Sequence, residues 1–236
     1  MHCHKEHGEA ARIDAIYSRR GYDTDPEYSD GNPVYLQRVQ SMERTTLAAL
    51  KIAGLGKRLA ELNILDFGCG NGRWFGRWIA WGAVPANLTG VDLRAKAIDL
   101  AHATFSQCSF RVMHEGRVPC ADGSFDVVVQ NVVFSSILDD GLRHTAASEI
   151  ARVLKPSGII LWCDFIFNNP QNPNVRGVKK GDIRALFPGF EAVVMKRIVL
   201  APPLARRIVP LSWLAAEIAE LSFPLLRTHI FAMLRK

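Results

Sequence analysis

The residues best placed to do chemistry lie in ILDFGCGNGRW, residues 64–74, where a strand-like apolar run ends in an acid and three alternating glycines. Asp66, Gly68, Gly70 and Gly72 form a D-x-G-x-G-x-G pattern. Such a loop lets the backbone approach a nucleotide, because glycine carries no side chain and reaches left-handed conformations freely. Its spacing is wrong for a dinucleotide fingerprint, G-x-G-x-x-G, whose third glycine permits close helix–strand packing. Counted from Gly68, that third position holds Arg73; counted from Gly70, it holds Phe75. A Walker loop would need Gly-Lys-Ser/Thr, which is also absent. Asp92 follows about 20 residues later at the end of the next apolar run, where an acid can accept hydrogen bonds from both ribose hydroxyls. An aspartate there could equally cap the helix that follows.

The elements that must position these groups alternate. Apolar runs at 63–68, 88–93, 110–113, 125–132, 158–165, 192–200 and 229–236 read as seven strands. Their continuous apolar character suits strands buried on both faces of a largely parallel sheet. Residues 73–81, 95–105, 141–153, 179–187 and roughly 204–221 fit helical spacing; Leu142, Ala146, Ile150 and Val153 show it well. Pro156 and Gly158 give a stop and turn after the third of these helices. Strand–helix alternation with such crossovers predicts a doubly wound α/β sheet. Residues 1–62 precede the first strand and carry Tyr17, Tyr22, Tyr28 and Tyr35 and a long helical pattern. They read as a helical N-terminal cap on the 63–236 domain, too short to bury a core of their own.

Composition narrows the classes. The 236 residues include 48% hydrophobic and 22% charged residues, as in one packed domain. A net charge of +6 suits an anionic ligand, RNA or an anionic membrane surface without selecting among them. Cys3, Cys69, Cys108, Cys120 and Cys163 are scattered, with no C-x-x-C pair, which argues against a disulfide framework or zinc site and for a reducing, cytoplasmic location. His2, Cys3, His4 and His7 are candidate ligands on a terminus expected to be a disordered tail, and no metal site is expected. No signal peptide and no spanning helix are expected. Residues 200–226 leave two readings open: an apolar helix with Arg206, Arg207 and Trp213 lying on a membrane surface, or one packed on the sheet before the last strand.

Four motifs in order, LDFGCGNG, VDL, DGSFDVVV and RVLKPSG, make residues 60–165 resemble the class I S-adenosylmethionine-dependent methyltransferases. The resemblance implies a Rossmann-like seven-stranded sheet with an antiparallel last strand, and S-adenosylmethionine as cofactor. Carried over by position, Asp66 would orient the loop and the cofactor's amino-acid end. Gly68 and Gly70 would let the backbone approach its methionine portion, and Asp92 would bind the ribose. The usual adenine-contacting acid is replaced here by His114 with Glu115 beside it, and Val118 would pack on the ring. Gln130 and Asn131 would end the fourth strand beside the methyl group.

Methyl transfer is an in-line displacement on an activated sulfonium, so alignment and exclusion of water matter more than a catalytic motif. No such motif is present, and the catalytic residue is unassigned. An N-P-P-Y signature is missing, since NNPQNPN at 168–174 follows the fifth strand. Acceptor contacts are expected where the sheet's carboxyl ends open. Asn131, Asp164, Asn168, Asn169 and Arg176 fall near such positions, and the tyrosines of the cap, especially Tyr17 and Tyr22, could close over them. His144 lies in a helical stretch and reads as solvated. The expected acceptor is a small molecule or glycan. The alternatives are RNA, although no RNA-binding module accompanies the core, and a non-catalytic cofactor-binding regulator.

Overall fold

The computed structural model describes residues 3–20, 25–169 and 172–236. Tyr22 and His2 lie outside the described residues. Seven strands form one sheet: β1 Ile64–Phe67, β2 Leu88–Asp92, β3 Ser109–Val112, β4 Phe125–Asn131, β5 Leu154–Phe165, β6 Glu191–Leu200 and β7 Arg227–Arg235. Their order is β3-β2-β1-β4-β5-β7-β6. Strands β1 to β5 pair in parallel, and β7 runs antiparallel to both β5 and β6. The chain steps outward from β1 through β2 to β3, then returns to place β4 on the other side of β1. This reversal opens a crevice at the carboxyl ends of β1 and β4, where open α/β sheets bind ligands.

Alternate residues of each strand feed two cores. Leu65, Phe67, Val128 and Trp162 pack on one face with α5 (Asp140–Val153) and α6 (Lys180–Leu186). Ile64, Val127, Val129 and Leu161 pack on the other with α2 (Pro33–Ile52), α3 (Phe75–Ala80) and α4 (Ala95–Thr104). Each fully buried aromatic on these faces contributes about 1.5–3 kcal/mol. Phe134 and Trp162, with ring centroids 4.4 Å apart, fix a short 3-10 turn at Phe134–Ser136 beneath the crevice.

The N-terminus departs from the expected disordered tail. Helix α1, Cys3–Arg20, lies against the Phe134–Ser136 turn. Ile13 is buried in the core, Glu9 accepts from Leu138 N at 2.6 Å, and Arg12 Nη2 donates to Ser136 O at 2.6 Å. Helix α2 starts from Asn32, whose side chain caps Val34 N at 3.0 Å, with Pro33 at the first helical position.

The single helix expected near 204–221 is two helices, α7 Pro202–Ile208 and α8 Trp213–Ser222. Pro210 falls between them, where its ring and missing N–H break the helix, and Ser212 starts the next by capping Ala215 N at 3.2 Å. Helix α8 packs Trp213, Ala216 and Ala219 inward, and turns its two glutamates inward as well. Glu220 is buried, accepting from Gln37 at 2.7 Å and from Ser41, and Glu217 pairs with Arg44 at 2.7 Å. Leu214, Ile218 and Leu221 face outward, next to exposed Leu211, Phe223 and Leu225. Strand β5 begins at Leu154 rather than 158, so Pro156 and Gly158 lie within it, with an irregularity in its pairing to β4. Among the described residues, no helix is long and apolar enough to cross a membrane.

Candidate cofactor and acceptor site

The glycine loop leaves β1 and folds back over the end of β2. Gly68 N and Cys69 N both donate to Val91 O, at 2.8 and 3.0 Å. Gly68 has φ +74°, and a Cβ there would lie 2.4 Å from Val133 Cγ2. Only glycine satisfies both conditions at this position. Asp92 fastens the loop: Oδ2 accepts from Gly70 N at 2.9 Å, and Oδ1 accepts from Arg94 N at 2.9 Å. It is not the cap of α4, since the N-cap residue is Arg94. Each carboxylate oxygen has a second lone pair, so Asp92 can still accept from a ligand hydroxyl.

Asp66 is 3% exposed, and its Oδ2 has no hydrogen-bond partner among the described residues. Burial, and secondly the charge of Asp92, push its carboxyl up to about 7. A buried, unpaired carboxyl oxygen beside a glycine cradle suits a cationic ligand group, which would favour the ionised form. These residues therefore fit the amino-acid end of S-adenosylmethionine.

The loop opens into a cavity of about 980 Å³. This is the upper end of the ~300–1,000 Å³ range of small-molecule sites, which leaves room for an acceptor beside the cofactor. Asp66, Gly68, Gly70, Asp92 and Asn131 line it, as do Tyr17, Asn168 and Asn169. Tyr17 hydrogen-bonds Ser136 Oγ at 2.9 Å, and the Arg94 guanidinium sits 4.9 Å from its ring centroid. Burial pushes the Tyr17 phenol up, so it stays protonated. Asn168 Oδ1 accepts from Gly177 N at 2.9 Å.

Other sequence candidates lie elsewhere. His114 is exposed and bridges Arg117 across a tight turn, in which Glu115 has φ +52°; Met113 and Gly116 face the cavity instead. Val118 belongs to the core. Gln130 is buried, with its amide bonded to Cys163 O at 3.3 Å and Val133 N at 3.1 Å. Asp164 is fully buried and accepts from Ser135 N at 3.1 Å and Phe165 N at 2.9 Å. It holds the Phe134–Ser136 turn, and burial raises its carboxyl to about 6. Arg176 pairs with Asp140 at the start of α5. Neither Asp164 nor Arg176 lines the cavity. His144 is on the exposed side of α5.

Sequence reading placed the cap tyrosines over the site but missed the other residues of the opposite wall. The start of α2 and the segment before it supply Tyr28, Tyr35 and Arg38, α7 supplies Arg206, and the strand ends supply Phe165 and Val199. Arg73 donates to Tyr28 O, and Arg77 pairs with Asp30 at 2.7 Å, fastening this wall to the glycine-loop side. Two β-branched residues with positive φ, Val132 (+60°) and Val199 (+65°), line the cavity. Left-handed backbone at such residues is costly and clusters at ligand sites.

Comparison with known proteins agrees with this geometry. Residues 64–158 match the family described as methyltransferase domain. The O-methyltransferase cnsE of Penicillium expansum is 26% identical over 114 residues, covering 46% of this chain and 40% of that protein. The chain spans less than half the length of the curated relatives it matches. Among solved structures, the PH0226 protein of Pyrococcus horikoshii OT3 superposes with a TM-score of 0.59 at 16% identity, covering 92% of this chain and 98% of that one. The [4+2]-cyclase SpnF superposes with a TM-score of 0.55 at 18% identity, covering 78% and 81%. Residues 64–158 thus match a methyltransferase domain, and the sheet shares the fold of these solved structures.

Proposed function

We propose that this chain methylates an oxygen or nitrogen of a small molecule, using S-adenosylmethionine. The observation that carries the reading is the continuity of one cavity from the Asp66–Gly70 loop to the wall formed by α2 and α7. When bound, S-adenosylmethionine supplies a methyl group on a positively charged sulfur. Asp66 provides the counter-charge for the cationic amino-acid end. Gly68 and Gly70 give the backbone room, and Asp92 accepts from the ribose while holding Gly70. Met113 and Gly116 border the adenine end, while His114 and Glu115 stay outside the cavity. Asn131 and the strained Val132 frame the transfer point at the end of β4. Helix α1, through Tyr17, roofs the site and excludes water.

No histidine or lysine is among the described residues lining this cavity. The rate then rests on alignment, which can supply about 7–11 kcal/mol of a barrier. The O-methyltransferase relative supports oxygen as the acceptor atom. The apolar and aromatic wall favours a compact apolar molecule over a glycan chain. The outward leucines of α8, beside exposed Arg206 and Arg207 and with both glutamates of that helix turned inward, would rest on an anionic membrane surface. Transfer of radiolabelled methyl groups to a panel of phenols, carboxylic acids, sugars and RNA tests the reading. Label on a phenol or acid supports it. Label on RNA alone, or none on any acceptor by a protein that binds the cofactor, overturns it.

A further inference from the structure

The acceptor half of the cavity holds a cation with no counter-ion among the described residues. Arg38 projects from α2 between two tyrosines, with its guanidinium carbon 4.9 Å from the Tyr35 ring centroid and 5.8 Å from that of Tyr28. Among the described residues it makes no hydrogen bond, and no carboxylate pairs with it. The other cavity arginines differ. Arg94 is held by Asp92, and Arg73 by the Tyr28 carbonyl. Arg206 of α7 lines the same cavity, is exposed, and pairs with no carboxylate among the described residues. The acids lining the cavity are Asp66 and Asp92 at the glycine loop and Glu27, which is exposed. The same cavity is lined by apolar Val34, Phe165, Val199 and Leu200 and by uncharged Gln37 and Thr228. The Arg38 charge reaches the carboxyl end of β5, where burial and secondly Arg38 push the His229 imidazole down to about 3, and where Arg38 opposes the upward push of burial on the Cys163 thiol.

A half-buried guanidinium in an apolar wall presents a planar fork of donors matched to a carboxylate or phosphate. The ring faces of Tyr28 and Tyr35 orient that fork without satisfying its N–H groups. We infer that the methyl acceptor is an apolar molecule bearing an anionic group, bound by Arg38 and assisted at the cavity mouth by Arg206. The inference rests on the methyltransferase reading above and adds the chemical class of its acceptor. A cation at this point also explains the missing base: an ionised carboxylate needs no deprotonation to act as nucleophile.

The test uses the full chain saturated with S-adenosylhomocysteine, with octanoate, octyl phosphate, octanol and octanamide as probes in calorimetry. Both anions should bind about ten- to a hundredfold more tightly than the neutral probes, the usual worth of a charged hydrogen-bonded pair. Arg38→Met should erase that preference and leave S-adenosylhomocysteine affinity unchanged. Arg38→Lys should retain part of it, and Arg206→Ala, at an exposed position, should weaken anion binding several-fold. Preference for octanoate over octyl phosphate, or the reverse, names the anion. Equal binding of charged and neutral probes, no binding of either anion at about 1 mM, or an unchanged preference in a folded Arg38→Met protein overturns the inference. Failure to bind S-adenosylhomocysteine would instead overturn the cofactor reading.

Discussion

Asp66→Asn should stabilise the cofactor-free protein while weakening its hold on the cofactor. The Asp66 carboxyl ionises near 3.8 in the unfolded chain and at about 7 in the fold, because burial and then the Asp92 charge oppose ionisation. Between those values the native state keeps a proton that the unfolded state has lost. Stability therefore falls as pH rises through this window, and the whole penalty is present above it. Roughly 3 pH units at about 1.4 kcal/mol each set a ceiling of about 4 kcal/mol. Asparagine has the same shape and no charge, so at pH 8 the variant should gain about 2–4 kcal/mol, or roughly 5–15 °C in Tm for a chain of this size. At pH 4, where the native wild-type carboxyl is protonated, the gain should nearly vanish. Removal of the counter-charge should weaken S-adenosylhomocysteine binding at least about tenfold at pH 8. Thermal melts at both pH values and calorimetry at pH 8 read these effects. A variant that melts with wild type at pH 8, or that binds the cofactor product equally well, refutes the reasoning.

Gly68→Ala places a methyl group 2.4 Å from Val133 in a left-handed backbone, and should lower Tm and abolish cofactor binding. Asp92→Ala removes the acceptor of both Gly70 N and Arg94 N, and calorimetry should show cofactor affinity reduced by about a hundredfold or more. Glu220→Ala strands the donors of Gln37 and Ser41 and the backbone N–H of Val199, and should cost about 3 kcal/mol or more in urea unfolding. Co-sedimentation with phosphatidylserine vesicles should be reduced by Leu214→Glu with Leu221→Glu, and equal sedimentation would remove the membrane proposal.

Strand content and the glycine loop were legible because both are local. Continuous apolar runs marked all seven strands, and the spacing of Gly68, Gly70 and Gly72 set the loop apart from a dinucleotide site. The split of α7 from α8 was less legible. The helical spacing continues across the break, yet Pro210 and Ser212 carry the signal for it. The acceptor wall was not legible, because Tyr28, Arg38 and Arg206 meet only through the packing of α2 on α7. Asp164 and Arg176 were singled out by their place at a strand end, and that position does not reveal direction. Asp164 points inward to the Ser135 amide, and Arg176 reaches sideways to Asp140. The inward turn of the α8 glutamates was equally hidden, since only tertiary contacts show it.

Calorimetric titration of the full chain with S-adenosylmethionine, S-adenosylhomocysteine and NAD tests the central claim most directly. Saturable one-to-one binding of the first two with no heat from NAD is the expected result. Binding of NAD alone, or of none of the three, would contradict it.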